Sequence, residues 1–250
     1  MISQWLILLI ANQGRNSMNK TEEIFDIQKN DIISITGSGG KTSLMTYLAL
    51  SLSKKGRVLM TTSTKIALPK EASYKTYTAI DSYTNDKSDR IVCLGEEITG
   101  KGKLKSVGYE KLKKIIDDFD YVLIEADGCR NLPLKFWYDY EPVIYDFTTK
   151  VIGIFPIKIM GCEVREDFTY NYPGFSKNIG TGIIDSKMIR KLIAYDKGFY
   201  KGFDGKKYFF LNQVESETDF LNVREIREDF DFSDIKLSYG SIKEEKFYEN

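Results

Sequence analysis

Apolar residues in this chain fall into short, β-branched runs that alternate with longer segments of helical spacing. Ile32, Ile33 and Ile35 form the first run, bounded by turn residues, as in a parallel strand buried on both faces. Leu44, Met45, Leu48, Ala49 and Leu52 then recur at helical intervals and predict a helix with one face to bury. The pattern places a helix C-cap at Gly56, a strand over RVLMTTSTKI and another over RIVCLG. Residues 71–88 show no clean period and read as loop whose helix or strand content the pattern leaves open, and GEEITGKGKLKS reads as a mobile basic turn. VGYEKLKKIIDDF predicts an amphipathic helix ending at Asp120, followed by an apolar strand from Tyr121 to Ile124. KVIGIFPIKI predicts a strand, and GIIDSKMIRKLIAY a helix with Ile184, Met188, Leu192 and Ile193 on one side. The strand KYFFLNQVES, the helix ETDFLNVREIREDF and the edge strand DIKLSYGS follow, and IKEEKFYEN reads as a frayed tail. Such alternation predicts an α/β fold built on a doubly wound, mostly parallel sheet flanked by helices.

The turn between the first strand and its helix is Gly-Ser-Gly-Gly-Lys-Thr-Ser, residues 37–43. Gly37, Gly39 and Gly40 allow backbone conformations in which successive N–H groups converge on an anion. Lys41 adds a positive charge for outer phosphates, Thr42 a hydroxyl for Mg2+, and the helix N-terminus its dipole. Gly37, Ser38, Gly39, Gly40, Lys41, Thr42 and Ser43 are thus the nucleotide-binding candidates, and the fold expected is P-loop NTPase-like. The full Walker A pattern has a glycine five residues before Gly40; here that residue is Ile35. The shortened spelling is closer to the loop of Mur-type peptide ligases than to that of a typical GTPase.

Three further stretches carry chemistry. Thr61 to Lys65 fall at the end of the second strand, where open α/β sheets bind ligands. The strand from Tyr121 delivers Glu125, Asp127 and Gly128 at its carboxyl end, the place of a Walker B acid, so Lys41, Glu125 and Asp127 are the catalytic candidates and Thr42 with Asp127 the magnesium ligands. Cys129 follows, readable as a thiolate that carries or senses a soft metal, sulfur or selenium, or as a small residue beside a turn. Asn212-Gln213-Val214-Glu215 resembles the Asn-Lys-x-Asp guanine motif, with Asn212 anchoring the loop and Glu215 accepting from the base; guanine is preferred only slightly over adenine.

Composition narrows the field. Lys plus Arg equals Asp plus Glu at 36 each, so no global charge points to nucleic acid or a membrane surface. Histidine is absent, which excludes His-based zinc sites and triads. Three widely spaced cysteines suit a reducing cytoplasm. The apolar run from Trp5 to Ala11 is far shorter than the roughly 20 residues that span a bilayer. Residues 1–17 read as a non-native or disordered leader, and 18–250 as one domain.

With ITGSGGKTSLM, VLMTTSTKI, VLIEADGCRNLPLKF with EPVI, and FFLNQVES in place, the chain resembles the selenium-dependent hydroxylase accessory proteins of the YqeC type over most of residues 20–240. The resemblance implies a cytoplasmic P-loop NTPase. It adds Thr62, Lys65, Arg130, Lys135 and Glu141 as family-specific site candidates. Cys129 stands where that family more usually has serine or alanine. The function expected is a Mg-dependent ATP or GTP hydrolase serving maturation of a selenium-dependent molybdenum hydroxylase, its partner being that hydroxylase or a cofactor-assembly protein. The alternatives are a Mur-like ATP-dependent ligase or kinase acting on a small acid, and a nucleotide-dependent binding module without turnover.

Overall fold

A computed structural model describes residues 17–67, 74–228 and 230–249; most of the predicted leader lies outside them. In chain order the elements are α1 (Ser17–Ile24), β1 (Ile32–Gly37), α2 (Lys41–Leu52), β2 (Val58–Thr62), β3 (Lys65–Ala67), β4 (Lys75–Tyr77), β5 (Ile91–Leu94), β6 (Glu96–Ile98) and β7 (Lys103–Lys105). They continue with α3 (Tyr109–Lys113), β8 (Tyr121–Glu125), β9 (Leu134–Lys135), β10 (Lys150–Pro156), β11 (Thr169–Tyr170), α4 (Tyr172–Asn178), α5 (Ser186–Ala194), β12 (Lys206–Asn212), α6 (Glu217–Glu228), β13 (Ile235–Ser241) and β14 (Lys246–Glu249). The chain is α/β. Its large sheet runs β14-β13-β12-β10-β1-β8-β2-β5-β4, parallel throughout except for β14.

The central strands are apolar on both faces because both faces are covered. On one face α1 and α2 pack Phe25, Leu44, Met45, Leu48 and Leu52 against Ile33, Ile35, Met60, Leu123 and Ile154. On the other, α4, α5 and α6 cover Phe155, Phe209, Leu211 and Leu237, and residues 107–119 cover Leu59, Val92, Val122 and Ile124. From β1 the chain goes to β2 and β5, returns through β8, then crosses to β10 on the far side of β1. Connections therefore diverge at the carboxyl ends of β1 and β10, a topological switch point.

Several expectations change. RVLMTTSTKI is not one strand: it breaks after Thr62, and β3 joins β6 and β7 in a separate three-stranded antiparallel sheet, so GEEITGKGKLKS is a hairpin with buried Leu104 rather than a mobile turn. The predicted helix over 107–119 is a five-residue helix and a 3-10 turn over Ile116–Asp118. The polar segment before β1 contains α1, held by buried Ile24 and Phe25. The tail is β14, anchored by buried Phe247, which makes β14 and not β13 the sheet edge. Gly56 lies beyond the helix end without a left-handed φ; its amide donates to Leu52 O, and glycine is required because a Cβ there would lie 2.6 Å from the Cβ of Asp120. No helix among the described residues is long and apolar enough to cross a membrane.

Candidate functional site

β1 ends in the glycine-rich loop at the sheet's carboxyl edge. Gly37 has φ 97 and Gly39 φ 81, both left-handed, and an added Cβ would sit 2.3 Å from Ile154 O at Gly37 and 2.5 Å from Pro156 Cβ at Gly39. Only glycine fits at either place. The Gly37 amide donates to Asp127 Oδ2 at 2.9 Å and the Ser38 amide to Ile154 O at 3.1 Å, while Ser38 Oγ donates to Pro133 O at 2.7 Å. The amides of Gly39, Gly40, Lys41, Thr42 and Ser43 have no partner among the described residues, as the open first turn of a helix leaves them. Asn212 braces this turn from β12: its Nδ2 donates to Gly39 O at 2.7 Å, and its Oδ1 accepts from Ile242 N at 3.2 Å.

Charges from the neighbouring strand face the loop. Lys41 Nζ donates to Gly37 O at 2.7 Å and lies 3.2 Å from Asp127 Oδ1 and 4.0 Å from Glu125 Oε1. The contact with Asp127 Oδ1 is charge attraction without the alignment of a hydrogen bond, since that oxygen is buried with no aligned donor. Burial works to discharge Lys41, but Asp127 and then Glu125 outweigh it and hold its pKa above the usual lysine range. Glu125 shows the opposite balance: burial raises its pKa, against Lys41 and the Thr42 hydroxyl, which donates to Glu125 Oε2 at 2.6 Å. Lys135 extends the array, pairing with Glu141 Oε2 at 2.9 Å and Asp127 Oδ2 at 3.7 Å. Three buried carboxyl groups, Glu125, Asp127 and Glu141, thus meet two ammonium groups, Lys41 and Lys135.

The structure separates residues that the sequence grouped. A cleft of ≈ 1570 Å³ is lined by Gly39 to Ser43, Lys65, Glu125, Cys129, Arg130, Glu141, Asn212 and Glu215 among others. Asp127 is 0% exposed and off that lining, its Oδ2 taken by Gly37 N and, at 2.6 Å, by Trp137 Nε1. Thr62, Lys135 and Ser38 are also behind the wall. Thr62 Oγ1 donates to Glu125 O at 2.9 Å and Thr61 Oγ1 to Leu94 O at 2.8 Å, so the hydroxyl-rich strand end staples β2 to its neighbours. Glu215 reaches the cleft with both oxygens engaged, by Lys158 and by Ser241 Oγ at 3.0 Å. Cys129 Sγ lies 3.5 Å from Lys41 Nζ. Sequence reading missed Trp137 behind the wall and Lys158, Ser241 and Lys103 of the lining; lone side chains such as these leave no local pattern.

Among the described residues no group of three or more Asp, Glu, Cys or His could hold a metal ion. The exposed Thr42 hydroxyl beside Glu125 nevertheless fits magnesium, which takes one or two protein oxygens and fills its shell with water and phosphate.

A protein of Escherichia coli (strain K12) described as "Uncharacterized protein YqeC" is 25% identical over 225 residues, covering 85% of this chain and 88% of the relative. No solved structure matches the chain. The family model for YqeC protein matches residues 33–173, a span that runs from β1 through the glycine-rich loop, Glu125, Asp127 and Lys135 to β11, and the chain belongs to the YqeC family.

Proposed function

We propose that the chain is a P-loop NTPase-like, Mg-dependent nucleoside triphosphatase acting on ATP or GTP. The observation that carries this reading is the row of unpartnered amides from Gly39 to Ser43 opening α2, with Lys41 anchored in place by Asp127. Backbone donors at a helix N-terminus next to a fixed cation bind phosphates without sequence-specific help. Gly37, Ser38 and Asn212 hold the shape of the loop. Asp127 acts from behind, fixing Gly37 and Lys41, while Glu125 and Thr42 are the pair that would hold magnesium. A magnesium ion there would neutralise charge developing on the phosphate oxygens. Glu125 offers an oxygen beside the Thr42 hydroxyl for the cation, and Lys41, whose pKa its carboxylate neighbours raise, supplies the fixed positive charge.

The resemblance to selenium-dependent hydroxylase accessory proteins supplies the setting, maturation of a molybdenum hydroxylase in the cytoplasm. Three free cysteines among the described residues accord with a reducing compartment. A second reading, a ligase or kinase, draws support from the extension of the cleft past β8 to Lys65 on the β2 side.

Calorimetric titration with ATP and GTP, with and without magnesium, tests the proposal together with phosphate release. Lys41→Ala should weaken nucleotide binding at least tenfold and stop turnover, and Thr42→Ala, at an exposed position, should remove the magnesium-dependent part alone. Undiminished hydrolysis by Lys41→Ala would reject it; tight binding with no phosphate release would favour a non-hydrolysing binding module.

A further inference from the structure

The cleft is longer than the glycine-rich loop needs. From β13, which ends beside Ser241, to β2, which ends beside Lys65, is five inter-strand steps, roughly 24 Å at about 4.8 Å each. A nucleotide with its phosphates on Gly39 to Ser43 and its base toward Asn212 and Gln213 fills the half of this edge over β1, β10 and β12. The half over β8 and β2 is left, and it is cationic.

The small sheet supplies two of these charges. β3 and β7 pair antiparallel with Lys65 opposite Lys105 and Ala67 opposite Lys103, so Lys65, Lys103 and Lys105 share one exposed face while Ile66 and Leu104 bury the other. Like charges on neighbouring cross-strand positions destabilise a sheet. Lys105 is neutralised by Glu96 at 3.3 Å, but Lys65 and Lys103 have no carboxylate partner among the described residues, and both line the cleft. The third charge comes from Arg130, which also lines the cleft and also has no carboxylate partner among the described residues. Arg130 and Asn131 adopt φ 51 and φ 62, two successive non-glycine residues in the left-handed region, a strain that concentrates at functional sites. The guanidinium stands 5.7 Å from the Tyr170 ring, and Tyr140, 67% exposed, borders the same wall. The acids of this half do not answer these cations: Glu125 is bonded to Thr42, and Glu141 to Lys135 and the Gly128 amide at 3.0 Å.

We propose that Lys65, Lys103 and Arg130 form a subsite for a second, small oxyanionic substrate, a phosphate or carboxylate carrying an aromatic or apolar body for Tyr140, bound alongside the nucleotide. The proposal rests on the nucleotide reading for the word second; the anion subsite itself does not. It makes the chain a two-substrate protein whose acceptor lies on the β2 side of the loop.

The test uses the full chain with phenyl phosphate and, in a separate arm, phenylacetate, followed by ligand-observed NMR while a non-hydrolysable ATP analogue with magnesium saturates the loop. Binding of at least one probe should persist under saturation. Its dissociation constant should rise at least tenfold in the Lys65→Ala/Lys103→Ala double variant and at least fivefold in Arg130→Ala, while Lys41→Ala leaves it within twofold. The double variant should bind the nucleotide as the wild type does, because its lysines are exposed and outside the loop. Absence of binding by both probes, displacement by the nucleotide analogue, or equal affinity in the double variant would overturn the subsite. If the nucleotide reading fails instead, the analogue does not bind, yet the probe still responds to Lys65 and Lys103 and not to Lys41.

Discussion

Asp127 Oδ2 accepts the Gly37 amide at 2.9 Å, so an acid that follows β8 clamps the last residue of β1. The same oxygen accepts from Trp137 Nε1, and the carboxylate is the nearest countercharge to Lys41. Asp127→Ala would strand two buried donors and leave Lys41 and Lys135 short of charge. Removing one partner of a buried ion pair costs about 3–5 kcal/mol, and a loss of that size is expected in urea unfolding. A loss below about 1 kcal/mol would show that water reaches the site and that Asp127 is not its structural keystone.

Glu125 makes the contrasting prediction. Burial lifts its native pKa above the ordinary glutamate value, while the unfolded chain titrates normally. Ionising this carboxyl group therefore costs more in the native state than in the unfolded chain; the penalty is present at high pH, fades as pH falls through the raised native value and is gone below the unfolded one, about pH 4. Glu125→Gln should be more stable than the wild type at pH 7, with the difference closing toward pH 4, and should bind magnesium-nucleotide at least tenfold more weakly. Lower stability of the variant at pH 7 would mean that the pairing with Lys41 outweighs desolvation.

The core of the fold was legible where local pattern and burial coincide. Ile33 and Ile35, then Leu44, Met45, Leu48 and Leu52, announce a strand and a helix, and all six are fully buried. Elements held by one or two apolar residues were not legible. α1 and the residue after it bring Ile24 and Phe25 to the core, β7 brings Leu104 and β14 Phe247, each among polar and charged neighbours. The site was legible as a set of residues but not as a geometry. Glu125 and Asp127 look equivalent in sequence, and which of them faces the cleft depends on Trp137, beyond the next turn, and on Gly37 at the end of the neighbouring strand. Lys103 had no signal, because its part arises only when β7 pairs with β3.

Gly56 illustrates a glycine kept for space. It lacks the left-handed φ of a helix cap, and a Cβ would come within 2.7 Å of Asp120 Oδ2, which accepts from Arg57 N at 2.7 Å. Gly56→Ala should cost about 1–3 kcal/mol through overpacking, seen as a lower Tm, with nucleotide affinity unchanged. At a site with room for the methyl group the same substitution stabilises by restricting the unfolded chain, so a raised Tm would contradict the close approach.

Nucleotide affinity should depend on Asn212, and base selection should not depend on Glu215. Asn212 is 4% exposed and ties Gly39 of the glycine-rich loop to Ile242 beyond β13, so Asn212→Ala should loosen that loop whichever base a nucleotide carries. ATP and GTP affinities should fall together by about tenfold, about 1.4 kcal/mol. Glu215 already accepts from Ser241 Oγ and pairs with Lys158, which holds its pKa below the usual glutamate range. A guanine would have to displace both partners to reach the carboxylate, with no gain in hydrogen bonds. Glu215→Gln should accordingly leave the ratio of GTP to ATP affinity within twofold of the wild type in paired calorimetric titrations. A drop confined to GTP, beyond tenfold, would show that the pair with Lys158 opens on binding and that Glu215 reads the base.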